Sequence, residues 1–209
     1  MRPSSLQKRE AALLAAERQF LSTGYESVTM DSIAKECGVA KQTLYSHFGS
    51  KRALFLELVT ANTVAARRAI PSPPEFDPSD DPRPTLRALL VAQLTAVMAP
   101  SVLSLRRLVI GELSRSPELA SALYEQGPRR AITKLAALIA EHRDAGLLHV
   151  DDPERAATQL NWLVMGEPVN RAMLLGDDAI PTPAEIEAQV DSALDVFFAA
   201  FGAGRGTSD

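Results

Sequence analysis

The chain is poor in cysteine, and this absence limits the class of protein. Its one cysteine cannot form a disulfide within the chain, which is typical of proteins that act in the reducing cytoplasm. The N-terminus, MRPSSLQKRE, lacks the apolar core of a signal peptide. No stretch approaches the ~20 consecutive apolar residues that a membrane span needs. We therefore expect a cytoplasmic protein with no membrane partner.

Glycine is sparse outside turn-like segments, and runs of β-branched residues are rare. Hydrophobic residues make up 46% of the 209 residues, with alanine and leucine abundant among them. These two residues favour helices, whereas strands are enriched in β-branched and aromatic residues. A chain of this length can bury a real core in one large or two small domains. We therefore predict an all-α protein.

Catalytic motifs are also missing. The three histidines, His47, His142 and His149, lie in no HExxH motif, Cys/His cluster or nucleophile elbow. Aspartates near His142 and His149 have the chemistry to bind a metal, but exposed charges around a helix end are the more common explanation. No glycine-rich loop is present to hold a phosphate. We expect neither an enzyme nor a bound cofactor or metal.

The net charge of −4 at first argues against nucleic-acid binding, but the charge is unevenly distributed. Residues 1–52 hold eight Lys/Arg and five Asp/Glu, a net charge of +3. The remaining residues hold 14 basic and 21 acidic side chains, a net charge of −7. A basic N-terminal segment on an acidic body is compatible with local binding of phosphates.

The segment 29–51, TMDSIAKECGVAKQTLYSHFGSK, begins like a short amphipathic helix. Thr29 is suited to cap its N-terminus, and Asp31 lies in the first turn, where a negative charge complements the helix dipole. One apolar stripe has the spacing i, i+3, i+4 and i+7, namely Met30, Ile33, Ala34 and Cys37. Gly38 is suited to the left-handed conformation that ends a helix. The pattern predicts a helix followed by a tight turn.

A second short helix is predicted from about Ala40 to Phe48, with Leu44 and Phe48 facing inward. Its other face carries polar side chains near the N-terminal end, the end of a recognition helix that meets base edges in the major groove. These side chains are Lys41, Gln42, Thr43, Tyr45 and His47. Ser50 can cap the next helix, and Lys51 in its first turn is well placed for a phosphate. This pattern is typical of a DNA-binding helix-turn-helix.

The same run resembles the N-terminal domain of the TetR family of bacterial transcriptional repressors. The resemblance rests on Thr29, Ile33-Ala34, Gly38-Val39, Thr43-Leu44-Tyr45, His47-Phe48, Ser50-Lys51 and Leu54-Phe55, with Ala15, Phe20, Gly24 and Tyr25 before them. Ala40 departs from the usual serine cap, and Arg52 replaces a common acidic residue. The resemblance implies a three-helix DNA-binding domain, a helical ligand-binding and dimerisation domain, a double-stranded DNA operator and a small-molecule effector.

We assign different roles to the seven proposed DNA contacts, which are Thr29, Lys41, Gln42, Thr43, Tyr45, His47 and Lys51. Gln42 and Thr43 are the candidates for base readout, whereas Lys41, Tyr45 and Lys51 are expected to hold phosphates. Alternatives remain for three of them: Tyr45 as a core aromatic, Lys41 as a solvated charge and His47 as a packing or capping residue.

A proline-rich segment, residues 71–84, is predicted to be a mobile loop because six prolines exclude a helix there. Helices are expected at about 5–22, 51–69, 84–98, 102–114, 117–145, 153–175 and 183–201. Start signals for the later helices lie at Ser116, Asp152 and Thr182, and breaks or kinks are expected at Gly127-Pro128, Gly166 and Pro168. We predict domains at 1–52 and 53–202, followed by a disordered tail at 203–209.

Polar or large residues within the apolar helices are candidates for lining a ligand site: Gln93, Met98, Glu112, Asn161, Trp162 and Met165. For each of them, an ordinary helix position is the more common explanation. Apolar stripes on the last two helices are candidates for a homodimer interface: Leu160, Leu163, Ile186, Val190, Leu194, Phe197 and Phe198. The alternative is that both stripes only fill the monomer core. The TetR resemblance favours the interface.

Together these features predict a homodimeric repressor that a small apolar or amphipathic ligand releases from a pseudo-palindromic operator. A small-molecule sensor or carrier without specific DNA binding is one alternative. A ligand-independent, nucleoid-type DNA binder is another. A gel-shift experiment separates them, since the first alternative predicts no specific band and the second predicts no sequence preference.

Overall fold

The computed structural model describes residues 5–68, 70–71, 77–78 and 80–202. Within these ranges the chain forms ten α-helices: α1 Ser5–Thr23, α2 Met30–Cys37, α3 Lys41–Phe48, α4 Lys51–Arg68, α5 Pro82–Val97, α6 Pro100–Gly111, α7 Pro117–Tyr124, α8 Arg130–Asp144, α9 Pro153–Leu175 and α10 Pro183–Phe201. The only β-type pairing among the described residues is an isolated bridge between Leu148 and Gly202. The predicted all-α class is confirmed.

Local capping signals explain where most of these helices begin. The Asp152 side chain accepts a hydrogen bond from the backbone N–H of Arg155, and Thr182 forms a capping box with Glu185. Ser116 occupies the N-cap position of α7 as predicted, but its buried side chain makes no capping hydrogen bond. Pro117 still fixes the start of α7, since its ring presets a helical φ at the first position.

The predicted break at Gly127-Pro128 is confirmed by a π-helical segment, Glu125–Arg129, between α7 and α8. Proline lacks the N–H that a regular α-helix needs, so the hydrogen-bonding ladder changes its spacing here. Gly166 and Pro168 lie within α9, which runs as one helix from Pro153 to Leu175, and the kink expected there stays a prediction.

The predicted 71–84 loop is shorter at its C-terminal side than expected, because α5 already begins at Pro82 with Asp81 as its N-cap. Residues 72–76 and 79 of that loop, and the tail at 203–209, lie outside the described residues.

The chain divides into two compact units, and the division differs from the predicted boundary after residue 52. The first unit, the head unit, comprises Met1–Ala65 and Ser104–Gln126. The second, the body unit, comprises Ala66–Leu103 and Gly127–Asp209. The segment Ser104–Gln126, which we call the elbow, therefore belongs to the head unit although a long stretch of chain separates it from α1–α4.

Each unit has its own apolar core. The core of the head unit is built from α1–α4 and the elbow, which contributes Leu105, Val109 and Leu119. The core of the body unit joins residues of α5, α8, α9 and α10, including Leu90, Leu160 and Leu194. Burial of such side chains is the main stabilising contribution, of about 1.5–3 kcal/mol for each fully buried large apolar side chain.

Candidate DNA-binding surface and regulatory core

The first helix of the predicted motif, α2, is fixed at both ends by local interactions. The Thr29 hydroxyl accepts a hydrogen bond from the backbone N–H of Ser32, and the Ser32 hydroxyl accepts one from the backbone N–H of Thr29. Gly38 ends the helix with φ 69°, in the left-handed region that glycine tolerates. Met30 and Ile33 are buried, so the predicted apolar stripe faces the core of the head unit.

The second helix, α3, presents the polar face that the sequence predicts. Leu44 and Phe48 are buried, and Gln42 lies exposed on the surface. Ala40 at the N-cap makes no side-chain hydrogen bond, so its departure from the usual serine leaves this helix without a side-chain cap. The exposed side chains of α3 are therefore available to contact a partner.

The other predicted contacts on α3 differ in exposure. Tyr45 is 42% exposed, which contradicts the alternative that it is a core aromatic. Thr43 and His47 are half-buried, and the His47 ring lies edge-on to the Phe48 ring with 6.2 Å between centroids. His47 therefore packs against its own helix and still reaches the surface.

The lysines of the predicted surface are engaged by groups of the head unit itself. Lys41 Nζ lies 2.8 Å from Oδ1 of Asp31 on α2. Lys51 Nζ donates a hydrogen bond of 2.9 Å to the Tyr25 carbonyl and lies 4.3 Å from the centroid of the Tyr25 ring. This contact holds the start of α4 against the segment between α1 and α2.

The elbow adds two ion pairs to this end of the head unit. Arg52, the second residue of α4, pairs with Glu118 in the first turn of α7. Arg115 Nη1 lies 3.2 Å from Oε1 of Glu26, between α1 and α2. No local sequence pattern reveals the pairing of Arg52 with Glu118, because the two residues are 66 positions apart.

Tyr25 lies under these contacts, in an environment that affects its ionisation. Its ring packs against Phe20 and Phe55, with centroid distances of 5.5 and 5.0 Å. Burial raises the pKa of the Tyr25 hydroxyl above its ordinary value, and the negative charge of Glu112 raises it further. Glu112 is buried, and its Oε2 has no hydrogen-bond partner within the described part of the chain.

Four of the six predicted ligand-lining residues lie in the core of the body unit, where Gln93, Met98, Asn161 and Met165 are buried. Gln93 on α5 donates a hydrogen bond of 3.1 Å from Nε2 to Oδ1 of Asn161 on α9. The structure places the other two elsewhere. Glu112 belongs to the head unit, and the Trp162 side chain is 64% exposed on the surface of α9. Their positions do not support a shared site.

Most of the predicted dimer residues fill the core of the body unit within a single chain. Buried in this core are Leu160, Ile186, Val190, Leu194 and Phe197, and Phe198 is half-buried against it. The structure therefore favours the alternative that these stripes pack inside the monomer. Leu163 differs, because it is 40% exposed.

Large apolar side chains of α9 and α10 remain exposed, and among them only Leu163 was a predicted dimer residue. On α9, Trp162 is 64% and Leu163 40% exposed, and on α10, Val196 is 54% exposed. Gln189 on α10 donates a hydrogen bond of 2.7 Å from Nε2 to the Leu163 carbonyl, so the two helices adjoin there. We call Trp162, Leu163, Gln189 and Val196 the α9/α10 face.

Ion pairs attach another side of α10 to α5. The Arg87 guanidinium on α5 contacts Asp191 at 2.7 Å and Glu187 at 2.9 Å, and Arg83 contacts Asp195 at 2.7 Å. The three acidic residues recur every fourth position, on one side of α10. This spacing is visible in the sequence, but its arginine partners lie about a hundred residues earlier.

The described residues contain no metal-binding cluster and no single membrane-spanning helix. No group of three or more His, Cys, Asp or Glu side chains is arranged to hold a metal ion there. In the same ranges no single helix is long and apolar enough to cross a membrane, although α5 and α6 together, bent by 63°, reach the required length and composition.

A capped helix, a left-handed glycine turn and a second helix with an exposed polar face define a helix-turn-helix DNA-binding protein. Comparison with known proteins identifies the family. The family model of the bacterial regulatory proteins, tetR family, matches residues 12–58, and that of the AefR-like transcriptional repressor, C-terminal domain, matches residues 84–203. The chain belongs to the TetR family of transcriptional regulators.

Individual relatives agree with this assignment. The transcriptional regulator EthR of Mycolicibacterium smegmatis is 28% identical over 189 residues, which cover 90% of this chain and 84% of EthR. The transcriptional activator FasR of the same organism is 42% identical over 53 residues, only 25% of this chain and 24% of FasR. The structure of the flavonoid-responsive regulator FrrA aligns with a TM-score of 0.80 at 34% identity, covering 93% of this chain and 97% of FrrA.

Proposed function

We propose that the protein is a homodimeric repressor that binds a pseudo-palindromic operator in the cytoplasm and leaves it when a small ligand binds. The observation that carries the proposal is the exposed polar face of α3, with Gln42 foremost and Lys41 and Tyr45 beside it. Side chains of this kind on a recognition helix read base edges and hold phosphates. The likeness of residues 84–203 to an AefR-like repressor domain supports repression rather than activation.

The α9/α10 face supports the homodimer. Trp162, Leu163 and Val196 expose apolar surface on two adjoining helices, and large exposed apolar residues in one patch mark interaction sites. A two-fold interface places the same patch on both partners, so an apolar face can meet its own copy. Two heads in one dimer then bind half-sites one turn of DNA apart, about 34–36 Å.

The residue composition of the body-unit core favours an uncharged ligand. The buried polar side chains of this core among the described residues are Gln93, Asn161 and His142. Arg171 on α9 is half-buried with its Nε shielded from solvent, but this guanidinium already lies 3.4 Å from Oε1 of Glu167. A charged ligand without a partner of opposite charge would lose its hydration without compensation. The amides of Gln93 and Asn161 can instead bind hydroxyl or carbonyl groups on a mostly apolar compound. The likeness to FrrA, a flavonoid-responsive regulator, supports such a ligand class.

In vitro selection from a randomised duplex library tests the DNA half of the proposal. The wild-type protein should enrich a pseudo-palindrome, and footprinting should show two protected major-groove segments about one turn apart. Enrichment of no sequence would contradict the proposal and favour a ligand-independent DNA binder. A screen of uncharged ring compounds, flavonoids included, for release of the selected duplex tests the ligand half.

A further inference from the structure

The Lys41 ammonium is held by a carboxylate on the same surface that is proposed to meet DNA. Lys41 is the first residue of α3, and its Nζ lies 2.8 Å from Oδ1 and 2.9 Å from Oδ2 of Asp31 on α2. Both oxygens are within hydrogen-bonding distance, so the carboxylate binds the ammonium through both of its oxygens. The two side chains are 58% and 62% exposed, which places the pair at the surface of the helix-turn-helix.

Asp31 also stabilises the protonated form of the Lys41 side chain. Its hydrogen bond to Nζ raises the pKa of Lys41, so the ammonium remains protonated. The same Nζ lies 5.9 Å from the ring centroid of Tyr45, another proposed phosphate contact. A DNA phosphate that approaches this part of α3 therefore meets a lysine that already has an anionic partner.

We propose that Asp31 sets the strength of DNA binding by competing with a phosphate for the Lys41 ammonium. The inference rests on the proposed DNA-binding role of α3. Lys41 must release the carboxylate before it binds a phosphate, so its contact contributes less than that of an unpaired lysine. The loss is the same on any duplex, because phosphates carry no sequence information. Asp31 therefore lowers the affinity for all sequences and leaves base preference to Gln42 and Thr43.

Such a residue also changes the response to salt and to ligand. A lysine that exchanges a carboxylate for a phosphate releases fewer counterions on balance than a free lysine, which flattens the salt dependence of binding. A ligand can weaken operator binding only by its own differential affinity for the two states of the protein. Lower starting affinity therefore lets the same ligand empty the operator more completely.

The test compares Asp31→Asn with a matched control on the same helix, Glu36→Gln. Glu36 forms an ion pair as well, since its Oε1 lies 2.7 Å from Nη2 of Arg18. Both substitutions therefore remove one negative charge from an ion pair of α2. Binding is measured over a salt series on a mixed-sequence duplex and on a duplex selected in vitro with the wild-type protein. Asp31→Asn should bind both about two- to fivefold more tightly per head, the range of an exposed ion pair. Its salt slope should steepen by up to about 0.9 per head.

A double-mutant cycle with Lys41→Ala shows whether Asp31 acts through Lys41. Asp31→Asn should have no effect in the Lys41→Ala background, and thermal unfolding should show that each variant is folded. The inference is overturned if Asp31→Asn changes neither affinity nor slope, if its effect persists undiminished without Lys41, or if Glu36→Gln has the same effect. If the wild-type protein selects no duplex, the proposed operator function fails, and the mixed-sequence duplex alone still decides the role of Asp31.

Discussion

Gln93 on α5 donates a 3.1 Å hydrogen bond to Asn161 on α9, and both side chains are buried in the apolar core of the body unit. Polar groups in such a core need hydrogen-bond partners, because a buried polar group without one costs about 1–3 kcal/mol of stability. The pair stabilises the contact between α5 and α9, and under the proposed function its amides would also hydrogen-bond the ligand.

Removing one member of this pair should destabilise the protein more than removing both. Gln93→Leu or Asn161→Leu alone should lower the free energy of unfolding by about 1–3 kcal/mol, because each leaves its partner unsatisfied. The double variant should be closer to wild type, since both polar groups are then replaced by apolar ones. Urea unfolding of the four proteins gives the coupling energy. Strictly additive losses would show that the two amides do not depend on each other.

The α9/α10 face and the core behind it should respond differently to a new charge. Val196→Asp should leave a folded chain that no longer dimerises, because it places a charge on an exposed apolar face. Leu194→Asp, two positions earlier, should unfold the chain, since an unpaired buried charge costs about 4 kcal/mol or more. Light scattering and circular dichroism measure the two effects. An intact Val196→Asp dimer would place the interface elsewhere.

Trp162 should report on assembly rather than on a core ligand, because it is the chain's one tryptophan and lies on the α9/α10 face. Its emission should shift to longer wavelength when the protein is diluted below its dimerisation constant, as the exposed ring gains water. The Val196→Asp variant should show the shifted spectrum at every concentration. A spectrum that stays constant over the whole dilution series of the wild-type protein would contradict this assignment.

Features that depend on a few neighbouring residues could be predicted from the sequence. The capping of α2 by Thr29, the turn at Gly38 and the inward face of α3 follow from hydrogen bonds and periodicity within one or two turns. The starts of α9 and α10 at Asp152 and Thr182 follow for the same reason. These features fix the helix-turn-helix and therefore the DNA-binding function.

Features that depend on distant partners could not be predicted. The pairing of Arg52 with Glu118 requires the elbow to pack on the head unit, and no local pattern encodes that. The burial of individual apolar residues on α10 is similar. Leu194 and Val196 are both apolar, and only the packing of α5, α8 and α9 decides that Leu194 is buried and Val196 exposed.

The two classes of DNA contact should separate in their effect on specificity. Gln42→Ala should relax the preference at one operator position, by about 1–3 kcal/mol against the wrong base pair. Lys51→Ala should weaken binding to all sequences alike and flatten the salt slope by about 0.9 per head. Lys51 also contacts Tyr25, so its removal should lower the melting temperature as well. Identical specificity profiles for the two variants would refute this division of roles.

Tyr25 should make the stability of the head unit sensitive to alkaline pH. Burial, and then the charge of Glu112, raise its pKa above the ordinary value of 10.0, so the folded state favours the protonated phenol. That preference is fully present below the unfolded pKa and is lost as the pH rises through the folded pKa. Stability should therefore fall above about pH 10 in the wild-type protein and less so in Tyr25→Phe. Glu112→Gln should move the Tyr25 titration, followed by tyrosinate absorbance, to lower pH.

Ligand and operator should oppose each other with equal strength in both directions. If an uncharged ligand binds the core of the body unit and lowers operator affinity by some factor, the operator must lower ligand affinity by the same factor, because the two couplings are one free energy. Three helical segments, α4, α6 and the π-helical segment Glu125–Arg129, contain residues of both units and are the continuous connections through which such coupling can act.

Calorimetric titration of the ligand with and without operator, and of the operator with and without ligand, measures the two factors independently. Asn161→Leu should weaken the ligand while leaving operator affinity unchanged, since Asn161 lies in the body unit and α3 in the head unit. A ligand that binds tightly yet leaves operator affinity unchanged would refute induction. The assignment of the helix-turn-helix would stand, because it rests on the geometry of α2 and α3 and on the family match over residues 12–58, and not on a ligand.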